Sequence, residues 1–522
     1  MAAFPGIQQP PSTAAGRRSS DWWNTTGFAI VALLLAAMPL LWPAIPPLID
    51  LPAHMGSYHV ALNAGASTTL DKYFEFHWAV IGNLGVDLLV MPLAKLVGVE
   101  LATKIVVILI PVLTVGGMLW TAREIHGELP PTLGFALPLA YCFPFVFGFV
   151  NYCLSMAFML LGFALWLRLG RQERPRWRAA VFAALAVCIW ITHAVGWVLL
   201  VAACASAELH RRIRQGQSWR GALMGSAIAC APLCTPVLVM ASLPHHLPSS
   251  VGGWFVPRDM ARWLLSLFRD RWMAWDLAAL ALFFGVLLLA AVRRGGMRLQ
   301  SALAVPALAL VVLFVAAPES INHSDFVNVR IAPYALALLA IAIGTPHATA
   351  GQRRGLAIAA SAFFVLRMAS TAASMALYSA DYSANLKALD HIEAGSAIVA
   401  FSPVSCEHGF ASWQNPRVYH LPSMAVVRRN AFVNTEWQVD GLQLLKVRYA
   451  AARPFDSDPS EMVALGCDIP GALRVDAAIA SFPRAAFDYL WLLEMPPSAW
   501  PHDPAFELVW AKDNAALYRI VH

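Results

Sequence analysis

The chain has 522 residues, 59% of them hydrophobic and only 13% charged, with a mean hydropathy of +0.59. That balance excludes a soluble globular domain and describes a polytopic membrane protein, because long apolar stretches recur through the first three quarters. The net charge of +6 is carried largely by short loops between those stretches, a placement that argues against nucleic acid as a partner.

Residues 1–25 are polar and read as a disordered cytoplasmic N-terminus. The first apolar run, "FAIVALLLAAMPLLWPAIPPL", is too long for a signal-peptide core and exits without a small-residue cleavage site, so it reads as a signal anchor. Basic clusters follow at Arg123, Arg168 to Arg178, Arg211 to Arg220, Arg293 to Arg298 and Arg353–Arg354. If these and Arg17–Arg18 are cytoplasmic, each interval holds an even number of crossings.

The predicted spans then fall near 26–46, 101–121, 131–147 and 150–167, with "FGFVNY" at the turn between the last two. A hairpin of half-length helices turning at "ITHAVG" fits the interval from Arg178 to Arg211; one long tilted helix is the rival, but it would put a basic cluster outside. Further spans are predicted near 221–243, 276–292, 301–317, 329–345 and 355–378, which gives about eleven transmembrane helices. Residues 77–96 carry Asp87, Pro92 and Lys95 and would spoil the parity, so they are predicted to form an interfacial or re-entrant helix within a first outer loop, 46–100.

The fold class is therefore mostly α: a membrane helix bundle over 26–378, followed by a small extracytoplasmic α/β domain over 380–522. In that tail "GSAIVAF", "PRVYHL", "FDYLWLLEM", "FELVWA" and "AALYRIV" read as strands. Cys406 and Cys467 lie there and are free to pair if the tail is outside the cytoplasm. No phosphate-binding glycine motif is present, and no His/Cys/carboxylate group has zinc-site spacing, so no cofactor and no structural metal is expected; a divalent cation is left open but is not indicated.

An outer set of polar residues carries the candidate chemistry. Asp50, at "PLIDLPAHMGSYH", reads either as a helix N-cap before Pro52 or as a carboxylate that takes a proton at the membrane–water interface. His54 and Tyr58 follow one and two turns along the same face, lining a cleft or facing headgroups. Arg330 enters a helix from outside, against the charge bias; it snorkels, pairs with Asp325 or Glu319, or grips a lipid phosphate. His193 at the hairpin tip and His323 complete the substrate-binding candidates.

With these residues in place, the order "PLIDLPAHMGSYHVAL", "ITHAVGWVLLV", "NVRIAPYALALLA" and the tail ending in "AALYRIV" resembles GT-C-type membrane glycosyltransferases. The resemblance implies Asp50 as catalytic base, Arg330 toward a lipid phosphate, and a polyprenyl-phosphate-linked sugar as donor. It also implies transfer with inversion to a cell-envelope glycan, lipid or protein, at a bacterial inner membrane with the N-terminus cytoplasmic. The chain departs from the family where many members carry two acids after the first helix and "IDLP" has one. A lipid or glycan transporter predicts internal repeats and mid-depth charges instead. A non-catalytic assembly protein with a ligand-binding outer domain is the third class.

Overall fold

The computed structural model describes residues 21–243, 250–321, 326–404, 413–414, 416–439 and 441–522. His245, His246, His323, Asp325 and Cys406 lie outside the described residues, while Cys467 is disulfide-bonded.

Seven described helices are long and apolar enough to cross a membrane: Val99–His126, Val150–Arg171, Pro175–Thr192, Ala194–Arg214, Trp219–Ala241, Met273–Ala291 and Ala350–His391. Shorter apolar helices, Thr26–Leu40, Leu133–Phe147, Ser301–Ala316 and Ala332–Ile341, lie among them. The stretch 133–147 is not one plain helix. Pro138 and Pro144 each remove a backbone donor, and the chain breaks into 3-10 turns Leu133–Phe135 and Leu137–Tyr141 and the helix Phe143–Phe147. Irregular backbone at that depth is tolerated because it is buried in protein.

The expected half-length hairpin is instead two long helices, Pro175–Thr192 and Ala194–Arg214. The basic flanks stay helical because Glu208, buried, accepts hydrogen bonds from Arg211 and Arg212 and lies 3.6 Å from Arg178. In the loop predicted over 46–100, residues 77–84 are irregular. The helix Gly85–Val97 that follows has 13 residues, below the roughly 20 that a span requires.

The tail forms a seven-stranded sheet. Its order is Leu473–Arg474, Met462–Ala464, Ala397–Val404, Tyr489–Leu492, Ala515–Ile520 and Phe506–Lys512, with Phe432–Val433 also paired to Ala397–Val404. Pairing is parallel around Ala397–Val404 and antiparallel at the Ala515–Ile520 side. Ala397–Val404 opens with six buried residues in succession, the pattern of a strand covered on both faces. "PRVYHL" is not a strand. With Pro422 close behind, it passes through irregular chain into the 3-10 turn Leu421–Ser423 and the helix Met424–Arg429.

This sheet region is stitched to the first outer loop and the bundle. Phe74–Phe76 pairs antiparallel with Leu445–Val447, and Arg428 holds Glu100 through two bonds of 2.8 and 2.9 Å. Arg367 meets Asp276 at 2.7 Å, and the Trp413 indole donates to the same carboxylate.

Candidate functional site

Asp50 directly precedes the helix Leu51–Asn63 and is buried, at 7% exposure. Its side chain makes no capping hydrogen bond. The backbone amide of Asp50 donates to the Phe147 carbonyl at 2.9 Å. Gly148, at φ +111°, makes this approach possible: a Cβ there would lie 2.8 Å from the Asp50 nitrogen. The carboxylate is therefore not used to cap its own helix.

His420 of the C-terminal region is what faces it, with Nε2 3.8 Å from Asp50 Oδ1 and 3.9 Å from Asp458 Oδ1. The other ring nitrogen, Nδ1, lies 2.8 Å from the Thr435 carbonyl, which assigns the proton to Nδ1 and leaves Nε2 with its lone pair. Burial pushes the Asp50 carboxyl well above the usual carboxylate range; Asp458 adds to the rise and Arg330 opposes it. Glu461, fully buried beside Asp458, is raised by burial and by that neighbour. Burial lowers His420, while Asp458 and the bond to Thr435 oppose the fall.

Of the residues predicted from sequence, His54 and Tyr58 share the Asp50 helix. The His54 ring lies 4.9 Å from Trp437 and 6.1 Å from Tyr58, and Trp437 in turn packs 4.7 Å from His420. His54 is held near pKa 3 by burial and then by His420, so it is an uncharged hydrogen-bonding group. The Tyr58 hydroxyl is buried and has no hydrogen-bond partner among the described residues.

Arg330 stacks over Phe149 at 4.2 Å and stands 5.9 Å from the Tyr152 ring. It lies within electrostatic reach of both Asp50 and His193. Tyr152 donates to the Arg330 carbonyl and meets the His193 ring edge-on at 5.5 Å. His193 accepts from the Val195 amide through Nδ1, and burial, then Arg330, lowers it to about 3.

The turn "FGFVNY", read from sequence only as a connection, is thus the floor on which these residues meet. Phe147 and Gly148 seat Asp50, Phe149 and Tyr152 seat Arg330, and Asn151 accepts from the Val86 amide at 2.6 Å and donates to Asp87 at 2.9 Å. His420, Trp437, Asp458 and Glu461 were also missed. The acids in "DSDPSEM" are the only hint the sequence carries, and acidic runs in polar tails are common.

No protein-family model matches the chain, and no curated protein matches it in sequence. The fold does have solved counterparts. ArnT from Cupriavidus metallidurans in the apo state superposes with a TM-score of 0.51 at 14% identity, over 95% of this chain and 98% of ArnT. The same protein bound to undecaprenyl phosphate gives 0.49 at 13% identity, over 94% and 97%. ArnT is a GT-C glycosyltransferase, and this chain has its fold: a multi-pass helix bundle with a C-terminal sheet region.

Proposed function

We propose that the chain is an integral membrane glycosyltransferase that moves a sugar from a polyprenyl-phosphate donor to an acceptor hydroxyl outside the cytoplasm. The observation that carries this reading is the Asp50 carboxylate, buried, released from helix capping and placed within the field of Arg330, in a chain of GT-C fold.

In this reading the acceptor oxygen attacks the anomeric carbon as Asp50 takes its proton. The bond from that carbon to the phosphate oxygen breaks, and its electron pair leaves with the polyprenyl phosphate. Direct displacement by one carboxylate-assisted attack inverts the configuration. Arg330, stacked on Phe149, offers a guanidinium to the departing phosphate. A raised pKa makes the ionised Asp50 a stronger base than an exposed aspartate, and the adjacent guanidinium favours the ionised form. The bundle supplies apolar surface for the prenyl tail.

Asp50→Asn keeps shape and hydrogen bonding but accepts no proton. Transfer from a polyprenyl-phosphate sugar in reconstituted membranes should fall roughly 10²–10⁴-fold at unchanged expression and unfolding temperature. Near-normal transfer by a folded Asn variant would remove Asp50 as base and with it this mechanism.

A further inference from the structure

His420, Asp458 and Glu461 bring ligand atoms to within 4.8 Å of one another. His420 Nε2 faces both Asp50 and Asp458, and Glu461 stands beside Asp458. His420 is oriented for ligation: its Nδ1–H donates to the Thr435 carbonyl, which fixes the ring and leaves Nε2 as an acceptor. Glu461 is the second and independent observation. It is 0% exposed, and no donor among the described residues reaches either carboxylate oxygen; its one polar neighbour is the Asp458 carboxyl.

A buried carboxylate whose one polar neighbour is a second carboxyl is costly. No lysine or arginine nitrogen among the described residues comes within ion-pair distance of Asp458 or Glu461, and the imidazole of His420 lies 3.9 Å from Asp458.

We propose that His420 Nε2, Asp458 and Glu461 bind one divalent transition-metal ion, held beside Asp50. One imidazole and two carboxylates suit Zn²⁺ or Mn²⁺, whereas Ca²⁺ takes about six to eight oxygens. Ligands on a tetrahedral ion with bonds of about 2.0–2.2 Å stand about 3.4 Å apart, so the set closes by roughly 1 Å on binding. Three protein ligands leave a coordination position open, and Asp50 borders the site, so that position is available to a substrate oxygen. The spacing of the chain hides the set, because residues 421–457 separate His420 from Asp458.

Binding stands without the transferase reading; only the catalytic use of the ion rests on it. The test uses the purified full-length protein, stripped with chelator and titrated with Zn²⁺ and with Mn²⁺. Elemental analysis and the Mn²⁺ spin-resonance spectrum provide the readouts. One ion per chain is expected. Glu461→Gln, nearly isosteric, and His420→Ala should each weaken it at least about 100-fold, more than loss of an outer-shell partner does. Asp50→Asn should bind the ion normally. No stoichiometric ion in the wild type, or equal affinity in wild type and a folded Glu461→Gln, overturns the proposal. Normal ion binding with full transfer by Asp50→Asn overturns the transferase mechanism and leaves the metal site standing.

Discussion

Arg417 donates from Nη1 to the Pro47 carbonyl at 2.8 Å, and so joins the segment that ends in His420 to the segment that ends in Asp50. The same guanidinium pairs with Asp270 and lies 3.9 Å from the Tyr378 ring, while the Tyr382 hydroxyl bonds the carbonyls of both Leu48 and Arg417. The side chain of Arg417 is 1% exposed. The distance between Asp50 and His420 is therefore set by a buried polar clamp three residues from each.

Removing one partner of a buried pair leaves the other charge stranded. Arg417→Met should destabilise the protein by about 3–5 kcal/mol, read as a drop in unfolding temperature in detergent. Adding Asp270→Asn should recover part of that loss, because the stranded carboxylate is gone. A single variant as stable as wild type would show that the clamp contributes no net stability.

Arg330→Lys keeps a charge but loses the planar fork that suits phosphate. Its expected effect is a higher KM for the lipid-linked donor, with the acceptor KM and the protein level unchanged. Equal losses of expression and activity would assign Arg330 a structural role.

Asp87 gives a pH signature. Burial raises it to about 6, against the opposing bond from Asn151. The protonated form is then favoured in the folded state, so the stabilisation is complete below the ordinary value near 4 and is lost as pH rises through about 6. The total is at most about 3 kcal/mol. Asp87→Asn should flatten the fall in unfolding temperature between pH 4 and pH 6, roughly the window those two values bound. An unchanged profile in the variant would show that Asp87 titrates normally.

The bundle was legible because apolar length and basic loops follow directly from the membrane. Glu208 was not read as a neutralising partner, so the hairpin helices came out short. The role of Asp50 was legible only as a choice, since residue grammar allows a cap and a base at one position; the absent capping bond favours release from the helix. His420, Asp458 and Glu461 were illegible for a different reason. Each lies in irregular chain or at a strand edge, and their meeting depends on long-range packing such as Arg417 on Pro47. Local periodicity carries no trace of such contacts.

Gly148→Ala tests the seating of Asp50 without touching its charge. At φ +111° an L-residue is strained, and the added methyl would sit 2.8 Å from the Asp50 nitrogen and 2.9 Å from its Cβ. Those are backbone and first side-chain atoms, which have no rotamer in which to move aside. The strain alone costs about 1–3 kcal/mol. The alternative is a shift of the Asp50 segment, which breaks the bond from its amide to Phe147. A displacement of about 1 Å at a catalytic group is enough to lower turnover about 100-fold. The expected outcome is a modest loss of unfolding temperature together with a loss of transfer that a second-site change in Arg330 does not mimic, because donor KM stays near normal. A Gly148→Ala protein with wild-type turnover would show that the Phe147–Asp50 contact is dispensable, and that Asp50 is positioned from the His420 side alone.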